Sequence, residues 1–459
     1  MNPLEVPELL EEIAASVENL SSFAQVDRFT HAAVTPYLFR NINMRLDCIG
    51  SLAEALRNNP ERATSCKSLS FYGGYDARAL DDSAVEKLRI DLTTVFGIIS
   101  AHSQLVSLTW IPRILGVALS EDVWAAISSV FAPLERLEIY ISSTEHGVSR
   151  SLTRTRFDRL RVFRLTMPNA HGWNCEHLQS MLGTLRHLEE LALDFPVCCG
   201  PRGITLDFTH PHLKRFSFTS CALLGGDSDF LVRHPAIESL FLETEQPFNT
   251  HIHPGMLRAL NIDEGSWYHY PTLLDSQITH LRLREIDAYT DSELVEAVRA
   301  VGCTLRCLEL DVWSDAETPL PPHLIPLVQS ALALDELGII RYDSSAPSLD
   351  WPSTLLRDLL AAIGPAAPLR ALRFRCGMAL PQERLRDLGP LPPRLKYIGW
   401  DVGRRDILSE SVVHVLEERN DKKVVVDTLA RPKTNDWWAQ GVLHFMGESW
   451  TSRCHGIAS

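Results

Sequence analysis

The chain has 459 residues, 45% of them hydrophobic and 22% charged, a globular mixture that supports a large core. Its 44 Lys and Arg against 58 Asp and Glu give a net charge of −14, the wrong sign for a dedicated binder of nucleic acid or anionic membrane. Ten scattered cysteines exclude a disulfide-dense scaffold, and the acidic opening lacks the basic region of a secretory signal, so the expected compartment is the cytoplasm and/or nucleus.

In chain order, residues 1–45 come first as a small helical module. Leu9, Leu10 and Ile13 sit at helical spacing, as do Phe23, Val26 and Phe29, and Leu20 lies between the two sets. So little apolar area is marginal alone and needs either the rest of the chain or a partner to cover it.

From residue 46 to about 405 one short unit recurs: apolar, two residues, apolar, one residue, apolar. Copies start at Leu105, Leu134, Leu160, Leu188, Leu213, Ile237, Leu257, Ile278, Leu305, Leu334, Leu369 and Leu395, with a degenerate copy at Cys66. From Leu105 onward the intervals run from 20 to 35 residues, and only one exceeds 29. The last two apolar residues of each unit are two apart, so they share one side of a short strand while the residue between them faces the other way. A single such strand cannot bury its face, whereas a dozen stacked in parallel make a continuous core and a curved sheet.

Between the strands lie apolar stripes at helical spacing, as a strand–crossover–strand coil requires. They include Val85 to Ile99, Val123 to Phe131 after an N-cap at Ser120, Leu178 to Leu185, Leu294 to Val301, and Leu355 to Ile363 ending at Gly364. The two shortest units carry Pro247, Pro254 and Pro271, which predicts extended crossovers there. After Trp400 the repeat fades, and residues 406–459, with Val424-Val425-Val426 and Trp437-Trp438, read as a terminal cap and tail.

The third, fifth and seventh positions of each unit form an outward row expected to line the concave face. Its sign alternates in blocks: Arg136, Glu138 and Tyr140; Glu190 and Asp194; Phe241 and Glu243; Asn261 and Asp263; Arg282 and Arg284; Glu309 and Asp311; Glu336; Arg373 and Arg375. Such a pattern suits a protein partner of mixed charge. Tyr140, Phe241, Arg282, Arg284, Arg373 and Arg375 are the candidate contacts, the aromatics as anchors and the arginines for bidentate pairing with carboxylates.

Catalytic signatures are absent: there is no phosphate-binding Gly-rich loop, no Gly-x-Ser-x-Gly and no His-Glu-x-x-His. His251, His253 and His269, and the pair Cys303 and Cys307, lack the ligand spacing of a metal site, so no enzyme activity, metal or cofactor is expected.

The Val6-Pro7 opening, the Leu10/Ile13 face, the Phe23/Val26/Arg28-Phe29 helix and the Pro36-Tyr37-Leu38-Phe39-Arg40 close resemble an F-box. The repeats resemble leucine-rich repeats without their asparagine ladder. The whole chain is similar to the F-box and leucine-rich-repeat proteins abundant in mushroom-forming (basidiomycete) fungi. That resemblance implies an α/β leucine-rich-repeat solenoid behind an all-α F-box-like module, in a substrate-recognition subunit of a Skp–cullin–F-box ubiquitin ligase. By the same resemblance Val6, Pro7, Leu9, Leu10, Ile13, Leu20, Phe23 and Val26 contact the Skp adaptor of the cullin ligase core, and the repeats hold a target protein, with no nucleic acid or membrane involved. The alternative is a repeat scaffold in which a degenerate F-box is only an N-terminal cap.

Overall fold

Stacked short strands share one core only if their apolar triads fall in register. The structure, a computed structural model, shows that they do. It describes residues 34–76, 82–115, 119–141, 152, 154–167, 175–195, 206–220, 229–244, 256–263, 277–286, 292–313, 324–342, 351–364, 367–376, 391–404, 407–419 and 422–431. The chain divides into two compact units, Met1–Leu213 with Ser220–Gly226, and Lys214–Thr219 with Asp227–Ser459.

The first unit holds β1 (Asn41–Arg45), β2 (Ser68–Asp76), β3 (Ser107–Leu115), β4 (Arg136–Tyr140), β5 (Val162–Thr166) and β6 (Glu190–Phe195), each parallel to its neighbour in sequence. Leu69, Leu108, Leu137, Phe163 and Leu191 align across β2 to β6, and so do Phe71, Trp110, Ile139, Leu165 and Leu193. All ten are buried. Among the described residues the crossovers include four helices: α1 (Ile49–Asn58), α2 (Asp82–His102), α3 (Glu121–Ser128) and α4 (Cys175–Leu182). Helix α2 buries Leu88, Leu92, Val95, Phe96 and Ile99, the expected stripe, and Ser120 takes the N-cap position of α3 without a side-chain cap hydrogen bond. Trp110 lies 5.5 Å from Phe71 and 5.9 Å from Trp124, both edge to face. Fully burying one such side chain contributes about 1.5–3 kcal/mol.

In the second unit come β7 (Arg215–Ser220), α5 (Phe230–Arg233), β8 (Ser239–Thr244), β9 (Ala259–Asp263), β10 (His280–Ile286), α6 (Ser292–Val301), β11 (Cys307–Trp313), α7 (Leu324–Ser330), β12 (Glu336–Tyr342), α8 (Trp351–Ile363), β13 (Ala371–Cys376), β14 (Tyr397–Arg404), β15 (Ile407–Arg419) and β16 (Lys422–Arg431). Strands β8 to β14 are parallel, with Leu240, Leu260, Leu281, Leu308, Leu337, Leu372 and Ile398 in one row. Leu242, Ile262, Leu283, Leu310, Ile339, Phe374 and Trp400 form the next. Helix α8 ends at Gly364, whose φ of 75° is the left-handed conformation that a C′ glycine supplies without strain. Each unit is therefore an α/β arrangement with a mostly parallel sheet, consistent with a solenoid-like coil.

A backbone device recurs from turn to turn within each unit. The carbonyl of the second residue in a unit accepts two N–H groups from the next: in the first unit Lys67 O takes those of Val106 and Ser107, and Glu135 O those of Arg161 and Val162. In the second unit Arg306 O takes those of Asp335 and Glu336, and Arg370 O those of Lys396 and Tyr397, at 2.8–3.1 Å. Backbone pairing thus does the work that an asparagine ladder would do, which no side-chain pattern announces.

The expected boundaries move at both ends of the repeat region. Strand β1 pairs with β2 from Asn41 to Arg45, inside the stretch assigned to the helical module. Its core residues Ile42 and Met44 are only half-buried, as befits a first turn with one neighbour. Past β14 the sheet continues through β15 and β16, which run antiparallel, so the described part of the region expected as a cap is a strand pair. The crossovers of the two short units, the tail beyond 431, and residues 1–33 lie outside the described residues. Among the described residues no helix is long and apolar enough to cross a membrane.

Candidate protein-interaction face

Side chains at the third, fifth and seventh positions leave the core face, and adjacent parallel strands set them about 4.8 Å apart. Long charged side chains therefore reach one another across strands. In the first unit Arg164 Nε lies 2.5 Å from Glu190 Oε1 and Nη1 lies 3.8 Å from Glu138, while Arg136 approaches Glu138 at 3.6 Å. Arg164 is 5% exposed and Glu190 is buried too. Tyr140, at the end of β4, is half-buried.

The second unit carries a larger network. Arg282 Nη2 lies 2.7 Å from Asp311 Oδ2, and Nη1 lies 3.8 Å from Glu309. Arg284 pairs with Glu243, its Nε is 3.7 Å from Asp311 Oδ2, and its guanidinium carbon sits 5.6 Å from the centre of the Phe241 ring. Burial works against the Arg284 charge, but the Glu243 carboxylate, with Asp311 beside it, holds the pKa above the usual guanidinium value. Gly338 occupies the position between Glu309 and Arg373, and a Cβ there would come within 3.0 Å of Glu309 Cγ. The missing side chain leaves room for Glu309 to lie across β12.

Beside this network His280, Cys307 and Glu336 occupy one row on β10, β11 and β12. Burial pushes the Cys307 thiol well above its ordinary value, and the Glu336 and Glu309 carboxylates add to the effect. Burial likewise lowers the His280 pKa, with Glu336 opposing. A protonated thiol beside carboxylates is a poor nucleophile. Among the described residues no group of three or more His, Cys, Asp and Glu is placed to hold a metal ion.

The structure corrects one expectation about this row. Glu190, Asn261, Arg282, Glu309, Asp311 and Glu336 were placed on the outward row, yet all are buried. Arg282 retains 7% exposure and Asp311 none. Neighbouring side chains cover one another, and oppositely charged residues on adjacent strands close into ion pairs. Of the six candidate contacts, Tyr140, Phe241, Arg284 and Arg373 are half-buried, Arg282 is fixed in the network, and the side chain of Arg375 lies outside the described residues. Phe241, Arg282 and Arg284 are brought together, whereas Tyr140 belongs to the other unit. Arg164 is the network member that sequence reasoning missed, although it holds the fifth position of its unit like the others.

The eight N-terminal positions Val6, Pro7, Leu9, Leu10, Ile13, Leu20, Phe23 and Val26 lie outside the described residues, as do His251, His253 and His269. Cys303 is exposed in the turn ahead of β11. No protein-family model and no curated protein matches the chain.

Proposed function

We propose that the chain is a non-catalytic substrate-recognition subunit of a Skp–cullin–F-box ubiquitin ligase, acting in the cytoplasm or nucleus. Its repeats are leucine-rich repeats that hold a target protein, and its N-terminal module binds the Skp adaptor. The observation that supports this reading is the register-aligned stack of parallel strands, which carries the half-buried Tyr140 in one unit and the half-buried Phe241, Arg284 and Arg373 in the other. Co-purification with the Skp adaptor from the same organism tests it. The Leu10→Asp, Phe23→Asp double variant should lose the adaptor and keep the melting curve of the unaltered chain. Retention of the adaptor by that variant sinks the reading.

One observation favours the scaffold alternative. Val34 is 1% exposed, and Arg40 O accepts the N–H groups of Lys67 and Ser68, so the last residues of the F-box-like segment are built into the first turn. If that segment is only a cap, the same double variant lowers the melting temperature sharply and the unaltered chain never holds the adaptor.

A further inference from the structure

The second residue of each unit forms a further row, at the edge where the chain enters the strands. In the first unit it reads Lys67, Val106, Glu135, Arg161 and Glu189, with Arg161 Nη2 2.6 Å from Glu189 Oε1. In the second unit it reads Lys214, Glu238, Arg258, Thr279, Arg306, Asp335, Arg370 and Lys396. The basic residues ahead of the last two turns alternate with acidic or neutral ones: Arg306 approaches Asp335 at 3.9 Å, and Arg258 donates to Gln277 Oε1 at 2.8 Å. Alternation is what adjacent strands demand, because like charges set side by side repel.

The last two turns break it. Arg370 and Lys396 are consecutive in the row, tied through the 2.8 Å bond from Lys396 N to Arg370 O, and Arg394 lies two residues ahead of Lys396. All three are exposed, and none has an ion-pair partner among the described residues. Three neighbouring cations with no ion-pair partner among the described residues, on a chain of net charge −14, suit an anion that bridges them. We infer that this rim of β13 and β14 binds an acidic peptide segment of a partner protein, whose carboxylates bridge Arg370, Arg394 and Lys396.

The surroundings limit the ligand. Asp335 on one side and the exposed Glu417 and Glu418 on β15 flank the patch, so a long polyanion such as nucleic acid runs into repulsion where a short acidic segment does not. In an extended peptide same-side carboxylates recur about every 6.8 Å, within reach of side chains of this length. Arg373, three residues after Arg370 on the same chain entry, continues the positive character toward the half-buried face. The inference does not depend on the ligase reading, since a chain that holds no adaptor still presents this rim.

Fluorescence anisotropy with the full chain and a labelled peptide of alternating Glu and Gly tests it. Exposed pairs are individually weak, so binding is expected in the micromolar range at low salt, weakening at least about tenfold in R370E/R394E/K396E and falling as salt is raised. The melting temperature should stay within a few degrees of the unaltered chain's, because exposed charges contribute little to stability. R306E, whose partner is Asp335, should weaken binding less than about threefold. If the triple variant fails to fold, K396E alone serves, with a loss of about threefold expected. Equal binding by the variants and the unaltered chain overturns the inference. So does no binding by the unaltered chain at about 100 µM, or tighter binding to a single-stranded oligonucleotide than to the peptide.

Discussion

Replacing Arg282 with Met leaves a carboxylate stranded. Asp311 has no exposure, and its Oδ2 lies 2.7 Å from Arg282 Nη2. Removing one partner of a buried ion pair costs about 3–5 kcal/mol, because the survivor keeps its desolvation penalty without its attraction. Arg284 remains 3.7 Å from the same oxygen and softens the loss, so about 3 kcal/mol is expected. For a unit of this size each kcal/mol moves the midpoint by about 2–4 °C, giving a fall of about 6–12 °C. The R282M/D311L double variant removes both charges, and an apolar replacement of a buried pair is often neutral. Glu309, 3.8 Å from Arg282, still loses a contact, so recovery should reach within about 1.5 kcal/mol of the unaltered chain. Urea unfolding gives the energies, and hydrogen exchange of the β10–β12 amides separates this unit from the other. A single variant that loses less than about 1 kcal/mol, or a double variant as unstable as the single, refutes the claim that Arg282 is fixed inside the fold.

Three further outcomes are expected. A Cβ on Gly302 would lie 2.0 Å from the Ser330 carbonyl oxygen, which is backbone and cannot swing aside, so Gly302→Ala should cost about 1–3 kcal/mol in thermal unfolding as α6 and α7 are forced apart. Burial lowers the pKa of His234, His280 and His414, so below their ordinary value near 6.5 the unfolded chain binds more protons than the folded one. Stability is therefore full above about pH 6.5 and declines as pH falls below it, and His234→Phe should flatten that decline in urea titrations. Under iodoacetamide, the exposed Cys303 should be labelled in the folded chain, whereas Cys66, buried and with its thiol pushed up to about 12, and Cys307 should react only on unfolding, as peptide mass mapping will show.

The sequence and the structure agree where hydrophobic spacing alone decides the outcome. Every first position from Cys66 to Leu395 is at most 2% exposed, because an apolar residue two places ahead of a strand has nowhere to go but the core of the stack. Helices α2, α6 and α8 were equally legible, since a stripe at helical spacing needs no knowledge of its neighbours. The charged row was placed on the right side of the strands but given the wrong environment. Whether Arg282 meets water or Asp311 depends on which strand lies beside it and how far each side chain reaches, and spacing along one chain carries neither. Strand β1 was legible and overlooked. Phe39, Ile42 and Met44 repeat the apolar spacing of the later units, and the pairing of Ile42 with Leu69 and Met44 with Phe71 makes Asn41–Arg45 a turn of the sheet.

The doubly used carbonyl of these turns has a bearing on how such a chain changes over generations. Because main-chain atoms close the turns, the side chain at the second position is released from structural duty, and it is accordingly Lys, Val, Glu, Arg, Thr or Asp from one turn to another. Only proline is barred there and at the next residue, since both N–H groups are donated, and neither position carries one from Cys66 to Tyr397. Selection can thus rewrite this edge while the scaffold beneath stays the same, within the charge alternation that neighbouring strands favour, so that related chains acquire new recognition properties by drift at positions the turns do not depend on.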